Sequence, residues 1–261
     1  MSASMSLFAG LVEHLADLLD PFFHTSATAA AIVLFTACVR LLVHPLSRAA
    51  ARGQKARAKL SPQIAELRKK HAKNPEKLQK AVLELHRKEQ VSPLSGCLPS
   101  LFQLPAFFLL YHLFSSAGIG GEANALLGHT LFAAPLGGRW TDALAEGGVF
   151  GAQGLVYVTL FALVAAVATF NYRRTKAQLA ANPLPQGQAG GAGGAGGQQV
   201  PGMGAIAKVM PLMSFMTLFT VAVVPLAAAL YVVTSTTWSA VERAVLYRDM
   251  PGAAGALATA G

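Results

Sequence analysis

Charge is what this chain has least of. Only 13% of its 261 residues are charged, about half the ~25% usual in soluble domains, and 53% are hydrophobic. That excludes an ordinary soluble globule. Two cysteines, Cys38 and Cys97, are too few and too isolated for a disulfide framework or a thiolate metal centre. They read as small apolar residues of membrane helices. No Lys or Arg precedes Arg40, so the first 25 residues lack the basic n-region of a cleavable signal peptide. There is no H-E-x-x-H, no nucleophile elbow and no clustered metal-ligand spacing. His44 and His112 read as interface or packing residues. No catalytic residue, metal or cofactor is expected, and the chain is read as not an enzyme.

What is present is a series of long apolar runs separated by a few basic stretches. Residues 1–25 place Leu7, Leu11, Leu15, Leu18 and Leu19 at helical spacing with Glu13 and Asp17 off that stripe. This predicts an extracytoplasmic amphipathic segment at the membrane surface. A first span is expected over 26–46. The insert 47–92 holds 13 Lys/Arg against four Glu, with one stripe at Leu60, Ile64 and Leu67 and another at Leu78, Val82 and Leu85. Between them lies "AKNP", whose Pro75 suits a helix start. This predicts a cytoplasmic basic helical hairpin.

A second span is expected over 93–115, where its three prolines are tolerable if neighbouring groups satisfy the freed carbonyls. An extracytoplasmic loop, 116–150, and a third span, 151–171, follow. The stretch 172–205 includes "GQAGGAGGAGGQQ" and reads as a flexible cytoplasmic Gly-rich loop. From 209 to 240 there is no charge. As one helix this run would measure about 48 Å, too long for a ~30 Å hydrocarbon core. Pro225 lies near its middle, so two spans are expected, 206–223 and 225–243, followed by a cytoplasmic tail, 244–261.

The expected fold class is therefore all-α: a polytopic membrane protein with five transmembrane helices. Basic residues orient it. The hairpin insert, the loop carrying Arg173, Arg174, Lys176 and Lys208, and the end carrying Arg243 and Arg248 all belong on the cytoplasmic side. The N-terminus is then outside and the C-terminus cytoplasmic.

Arg40 contradicts its surroundings. It lies in "FTACVRLLVHP", inside the first expected span, where an arginine costs roughly 2.5–3.5 kcal/mol on insertion scales. None of the twelve acidic residues falls within a span, although Glu242 sits at the cytoplasmic end of the last one. Three arrangements are open: backbone carbonyls and water solvate Arg40, Glu242 reaches it, or its partner arrives on a substrate. Thr36 lies one turn earlier on the same face. Other polar residues within the spans are Gln103, Thr159, Thr169, Ser214, Thr217, Thr220, Tyr231, Thr234 and Ser235. Singly these suit helix-packing roles; together they can line a polar groove facing the bundle interior.

The "TxxxR" span, the basic hairpin, "SPLSGCLPSLFQLPAFFLLYHLF" and the closing "MPLMSFMTLF…VVPLAAALYVV…AVLYR" together resemble the YidC/Oxa/Alb membrane protein insertases. The resemblance covers about residues 26–248. It implies five core helices around a hydrophilic groove open to the cytoplasm and to lipid. It also implies a groove arginine that attracts polar or acidic segments of incoming chains. Arg40 matches that arginine, Thr36 the polar position one turn earlier, and Tyr231 the first of two tyrosines found in some members. Val232 replaces the second tyrosine, and "PLAA" stands where "PSG" is frequent. With Gln103, Thr217 and Ser235, these residues form the expected substrate-contacting groove.

The implied function is insertion and folding of newly made membrane proteins in the bacterial plasma membrane. Nascent membrane proteins are the expected clients. A Sec-type translocon, the ribosome and membrane lipids are further expected partners, and no specific DNA binding is expected. The uncharged end, "PGAAGALATAG", lacks the basic ribosome-binding tail of some members. The competing class, a small secondary transporter or channel, predicts intramembrane carboxylates and inverted repeats, and the sequence shows neither.

Overall fold

The structure is a computed structural model and describes residues 2–71, 74–89, 108, 111–119, 122–181 and 210–248. The described architecture is all-α. Its only strands among those residues are four two-residue pieces paired in two small antiparallel hairpins. Of the expected loop 172–205, residues 172–181 are described and continue the helix of the third expected span instead of forming loop; 182–205 and most of the expected second span, including Gln103, lie outside the described residues.

Helix α1 (Ser2–Phe23) leads through a 3₁₀ turn, His24–Ser26, into α2 (Ala27–Lys70). His24 is left-handed at φ 48°, which separates the two helices. The face of α1 that packs against protein carries small residues, with Ala9, Val12 and Ala16 buried. Leu7, Leu11 and Leu18 of the leucine stripe are exposed instead, as are Glu13, Asp17 and Asp20. Small side chains let a helix approach its neighbour closely, which suits packing where lipid is as apolar as leucine. Phe8 meets Phe35 of α2 edge-on at 6.0 Å.

Helix α2 is continuous for 44 residues with Pro45 and Pro62 inside it. The expected boundary at 46/47 is thus a change of side-chain polarity and not a break in the helix. α3 (Pro75–Lys88) is capped by Asn74, whose side-chain oxygen accepts from the Lys77 amide at 3.0 Å, with Pro75 at the first turn. Both features are favoured at helix starts.

Residues 111–115 are helical and lead into an ordered loop. Strands β1 (Gly118–Ile119) and β2 (Glu122–Ala123) form one hairpin, and β3 (Thr130–Leu131) and β4 (Ala134–Pro135) the other. The buried Asn124 ties them down. Its amide nitrogen donates to the carbonyls of Leu113 (2.8 Å) and Ser116 (2.9 Å), and its side-chain oxygen accepts from the Leu126 amide at 3.3 Å. The short helix α4 (Trp140–Gly147) precedes α5 (Ala152–Ala181). At Gly154 an added Cβ would lie 2.3 Å from the Gly148 carbonyl oxygen, so only glycine fits this crossing.

Val224, preceding Pro225, adopts the extended conformation (ψ 157°) that proline imposes on its predecessor. The apolar run 209–240 is therefore divided into α6 (Met216–Val223), preceded by a 3₁₀ stretch Met210–Phe215, and α7 (Leu226–Leu246). Every residue from Leu226 to Val233 is buried, the signature of a helix surrounded by protein. The run "LAAAL" makes this possible by keeping α7 thin. Its first amides need acceptors, and the ordered loop supplies them: Leu226 donates to the Gly138 carbonyl and Ala227 to that of Leu136, both at 2.9 Å. The Tyr157 hydroxyl also donates to Gly138, at 2.7 Å, within an aromatic cluster of Trp140, Tyr157 and Phe161.

The chain divides into two compact units. One comprises Met1–Leu42, Leu104–Asn171 and Met213–Val241; the other comprises Val43–Gln103, Tyr172–Leu212 and Glu242–Gly261. The first contains the buried core just described. By length and composition, two stretches among the described residues are long and apolar enough to cross a membrane: Leu7–Leu67 and Ala152–Gln178.

Candidate functional site

Arg40 lies within the first unit, partly buried on α2, and donates from Nη2 to the Ser235 hydroxyl on α7. Ser235 is itself buried. Tyr231 precedes Ser235 by one helical turn, forms a side-chain hydrogen bond with it, and feels the charge of Arg40. The Tyr231 ring packs against Phe114 at 6.1 Å. The structure thus assembles three of the expected site residues into one chain of polar groups: Tyr231, Ser235, Arg40. Arg40 also has a further interaction besides this one.

Thr36 behaves differently. It is almost fully buried, and its hydroxyl donates to the Ile32 carbonyl of its own helix at 2.7 Å. Threonine back-bonding of this kind satisfies the hydroxyl within one turn. Thr159, Thr169 and Thr220 do the same towards Leu155, Ala165 and Met216. A hydroxyl satisfied internally can face lipid without an unpaired polar group; Thr159 is exposed and Thr220 half-buried. Thr217 is half-buried on α6. The polar residues of the spans therefore differ in role, and Ser235 supplies Arg40 with a hydroxyl acceptor.

Glu242, one candidate partner for Arg40, is engaged elsewhere. In the second unit its Oε1 lies 2.6 Å from His44 Nδ1. His44 is one turn beyond Arg40 on α2, and Glu242 lies two turns beyond Ser235 on α7. The same unit holds a feature that the sequence alone conceals. Arg174, which reads as an ordinary basic border residue of "NYRRTK", is 6% exposed, and its guanidinium carbon sits 5.8 Å from the Tyr247 ring centroid. No group of three His, Cys, Asp or Glu able to hold a metal occurs among the described residues.

A family model described as 60Kd inner membrane protein matches residues 19–253. A protein from Clostridium perfringens named membrane protein insertase YidC is 43% identical over 84 residues, 32% of this chain and 35% of the relative. A protein of the same name from Magnetococcus marinus is 43% identical over 81 residues, 31% of this chain and 15% of the relative. One from Nitratidesulfovibrio vulgaris is 35% identical over 111 residues, 42% of this chain and 21% of the relative. The matched segment thus spans about a third or less of the length of these relatives. A crystal structure titled active YidC insertase with the first transmembrane domain resolved is 26% identical, with a TM-score of 0.49, covering 90% of this chain and 45% of that one. Because the family model spans nearly the whole apolar framework, from the end of α1 past the end of α7, the chain is a helical membrane protein that belongs to the 60Kd inner membrane protein family, the YidC/Oxa/Alb family.

Proposed function

We propose that this chain inserts newly made membrane proteins into the bacterial plasma membrane, using Arg40 as the polar focus of a hydrated intramembrane groove. The observation that carries this reading is the pairing of Arg40 with a neutral hydroxyl, Ser235. Serine satisfies one guanidinium donor without cancelling the charge, so this bond leaves the cation able to attract a carboxylate or carbonyl of an incoming chain. Its planar five-donor fork suits both. Gln103 and Thr217 complete the proposed polar lining with Thr36, Tyr231 and Ser235.

Physically, a client's polar segment must cross hydrocarbon in which each unpaired backbone group costs several kcal/mol. A groove wet part of the way shortens that path, while the client's apolar segment partitions into lipid. No nucleotide or cofactor is needed, and the chain acts as a chaperone of insertion, not an enzyme. The proposed topology has five spans with the N-terminus outside and the C-terminus cytoplasmic, placing 47–92 and 172–205 on the cytoplasmic side. There the basic hairpin receives clients beside the ribosome or a Sec-type translocon.

Arg40→Ala and Arg40→Lys test the proposal in proteoliposomes with an acidic-tailed client. Ala abolishes insertion while the melting temperature in detergent stays near that of the parent; Lys keeps part of the activity. Full insertion by the Ala variant refutes the role of Arg40.

A further inference from the structure

The second unit contains a buried cation with a donor unpaired among the described residues. The third apolar run ends at Phe170, and Arg174 stands four residues later on α5, about 6 Å along the helix and so near lipid headgroup depth. Its neighbours Arg173 and Lys176 are exposed, as basic residues at a membrane border usually are, but Arg174 is 6% exposed. Its Nη2 is enclosed and has no hydrogen-bond partner among the described residues.

The surroundings make this cation more costly. Arg243 of α7 is close enough to repel Arg174 electrostatically. Tyr247, whose ring lies 5.8 Å from the Arg174 guanidinium carbon, follows Arg243 by one turn, its amide donating to the Arg243 carbonyl at 3.1 Å. The carboxylate beside this group, Glu242, already receives His44. A buried charged donor left unmade is among the more destabilising features a protein can carry, and a second guanidinium beside it adds repulsion. An anion relieves both.

We propose that Arg174, Arg243 and Tyr247 form an oxyanion site for the phosphate diester of an anionic phospholipid headgroup. A shift of the Arg174 side chain towards the headgroup opens its Nη2, which then donates to one non-bridging oxygen, and the exposed Arg243 supplies the second positive charge. Tyr247 holds the Arg174 guanidinium plane by cation–π contact. Burial pushes the Tyr247 phenol above its ordinary range, so its hydroxyl remains a donor at neutral pH. Basic pockets between membrane helices are suited to such headgroups. This site shares no residue with the Arg40 chain and stands whether or not the insertase reading does.

The test places the full chain in nanodiscs of phosphatidylcholine alone or with phosphatidylglycerol, and reads melting temperature and the lipid retained in native mass spectrometry. Phosphatidylglycerol raises the melting temperature of the parent and co-purifies with it. Arg174→Gln and the surface variant Arg243→Gln each lower retention roughly tenfold to a hundredfold, the range expected for loss of one charge-assisted bond, and Arg174→Lys restores part of it. Equal retention by the parent and both Gln variants overturns the site. Equal protection by soluble glycerol phosphate in phosphatidylcholine discs overturns its assignment to lipid. If Asp249→Asn destabilises the lipid-free protein as Arg174→Gln does, the chain's own carboxylate fills the site and the proposal fails.

Discussion

Replacing Ser235 measures how wet the surroundings of Arg40 are. Ser235 is buried and accepts from Arg40 Nη2. A hydrogen bond to a charged group contributes about 1.5–3 kcal/mol when nothing replaces it. Water can replace it at little cost, because a bridging water is nearly as good a partner as the hydroxyl. In a hydrated groove, Ser235→Ala opens room for a water and lowers the unfolding free energy by less than ~1 kcal/mol. Ser235→Val fills the same space with methyl groups, keeps water out, and costs the full ~1.5–3 kcal/mol. Unfolding in mixed micelles with rising dodecyl sulfate reads both values. A double-mutant cycle with Arg40→Ala isolates the pairwise part. If Ala costs as much as Val, Arg40 sits in a dry, packed environment and the hydrated groove is refuted.

Other perturbations test the frame around this site. Asn124→Ala removes three hydrogen bonds from a buried carboxamide, and at about 1 kcal/mol each should cost about 3 kcal/mol in the same micelle titration. Gly154→Ala drives a methyl group into the Gly148 and Val149 carbonyls. It should destabilise by about 2 kcal/mol or more, seen as faster proteolysis within the 116–150 loop. Single cysteines at Ser61, Ala123 and Gln188 in a Cys-free background report topology. An impermeant thiol reagent on intact cells should label only the Ala123 site, and labelling at Ser61 would overturn the proposed orientation.

The helices were legible because their signals are local. Pro75 behind Asn74 announces the start of α3, and Pro225 inside an uncharged run too long for one span announces the division between α6 and α7. The partner of Arg40 was not legible, since it depends on which residue of a distant helix arrives at the same depth. Ser235 was one of several hydroxyls of equal standing in the sequence, and only the helix faces distinguish it from Thr159 or Thr220. The ordered loop was hidden for a similar reason. Its glycines and polar residues read as a simple connection, yet Gly138 and Leu136 supply the carbonyls that start α7. The burial of Arg174 had no sequence signal, because a basic residue just past an apolar run normally lies in water.

A four-residue spacing on α2 aligns three polar side chains. Thr36, Arg40 and His44 fall on one face of the helix, but each is satisfied differently. Thr36 bonds its own backbone, Arg40 bonds a neutral serine, and His44 meets a carboxylate. Along the proposed first span, from His44 back to Thr36, these partners are a carboxylate, a hydroxyl and a backbone carbonyl. A carboxylate in place of Ser235 would make Arg40 cheaper to bury but would neutralise it and compete with any other anion. The cost of an intramembrane arginine, roughly 2.5–3.5 kcal/mol, is comparable to the ~1.5–3 kcal/mol of one charged hydrogen bond. A serine is therefore nearly enough to keep the charge in place without cancelling it. On this reasoning, Ser235→Asp should stabilise the fold and inhibit insertion of acidic clients together. A variant that gains stability and keeps full activity would show that the charge of Arg40 is not what clients use.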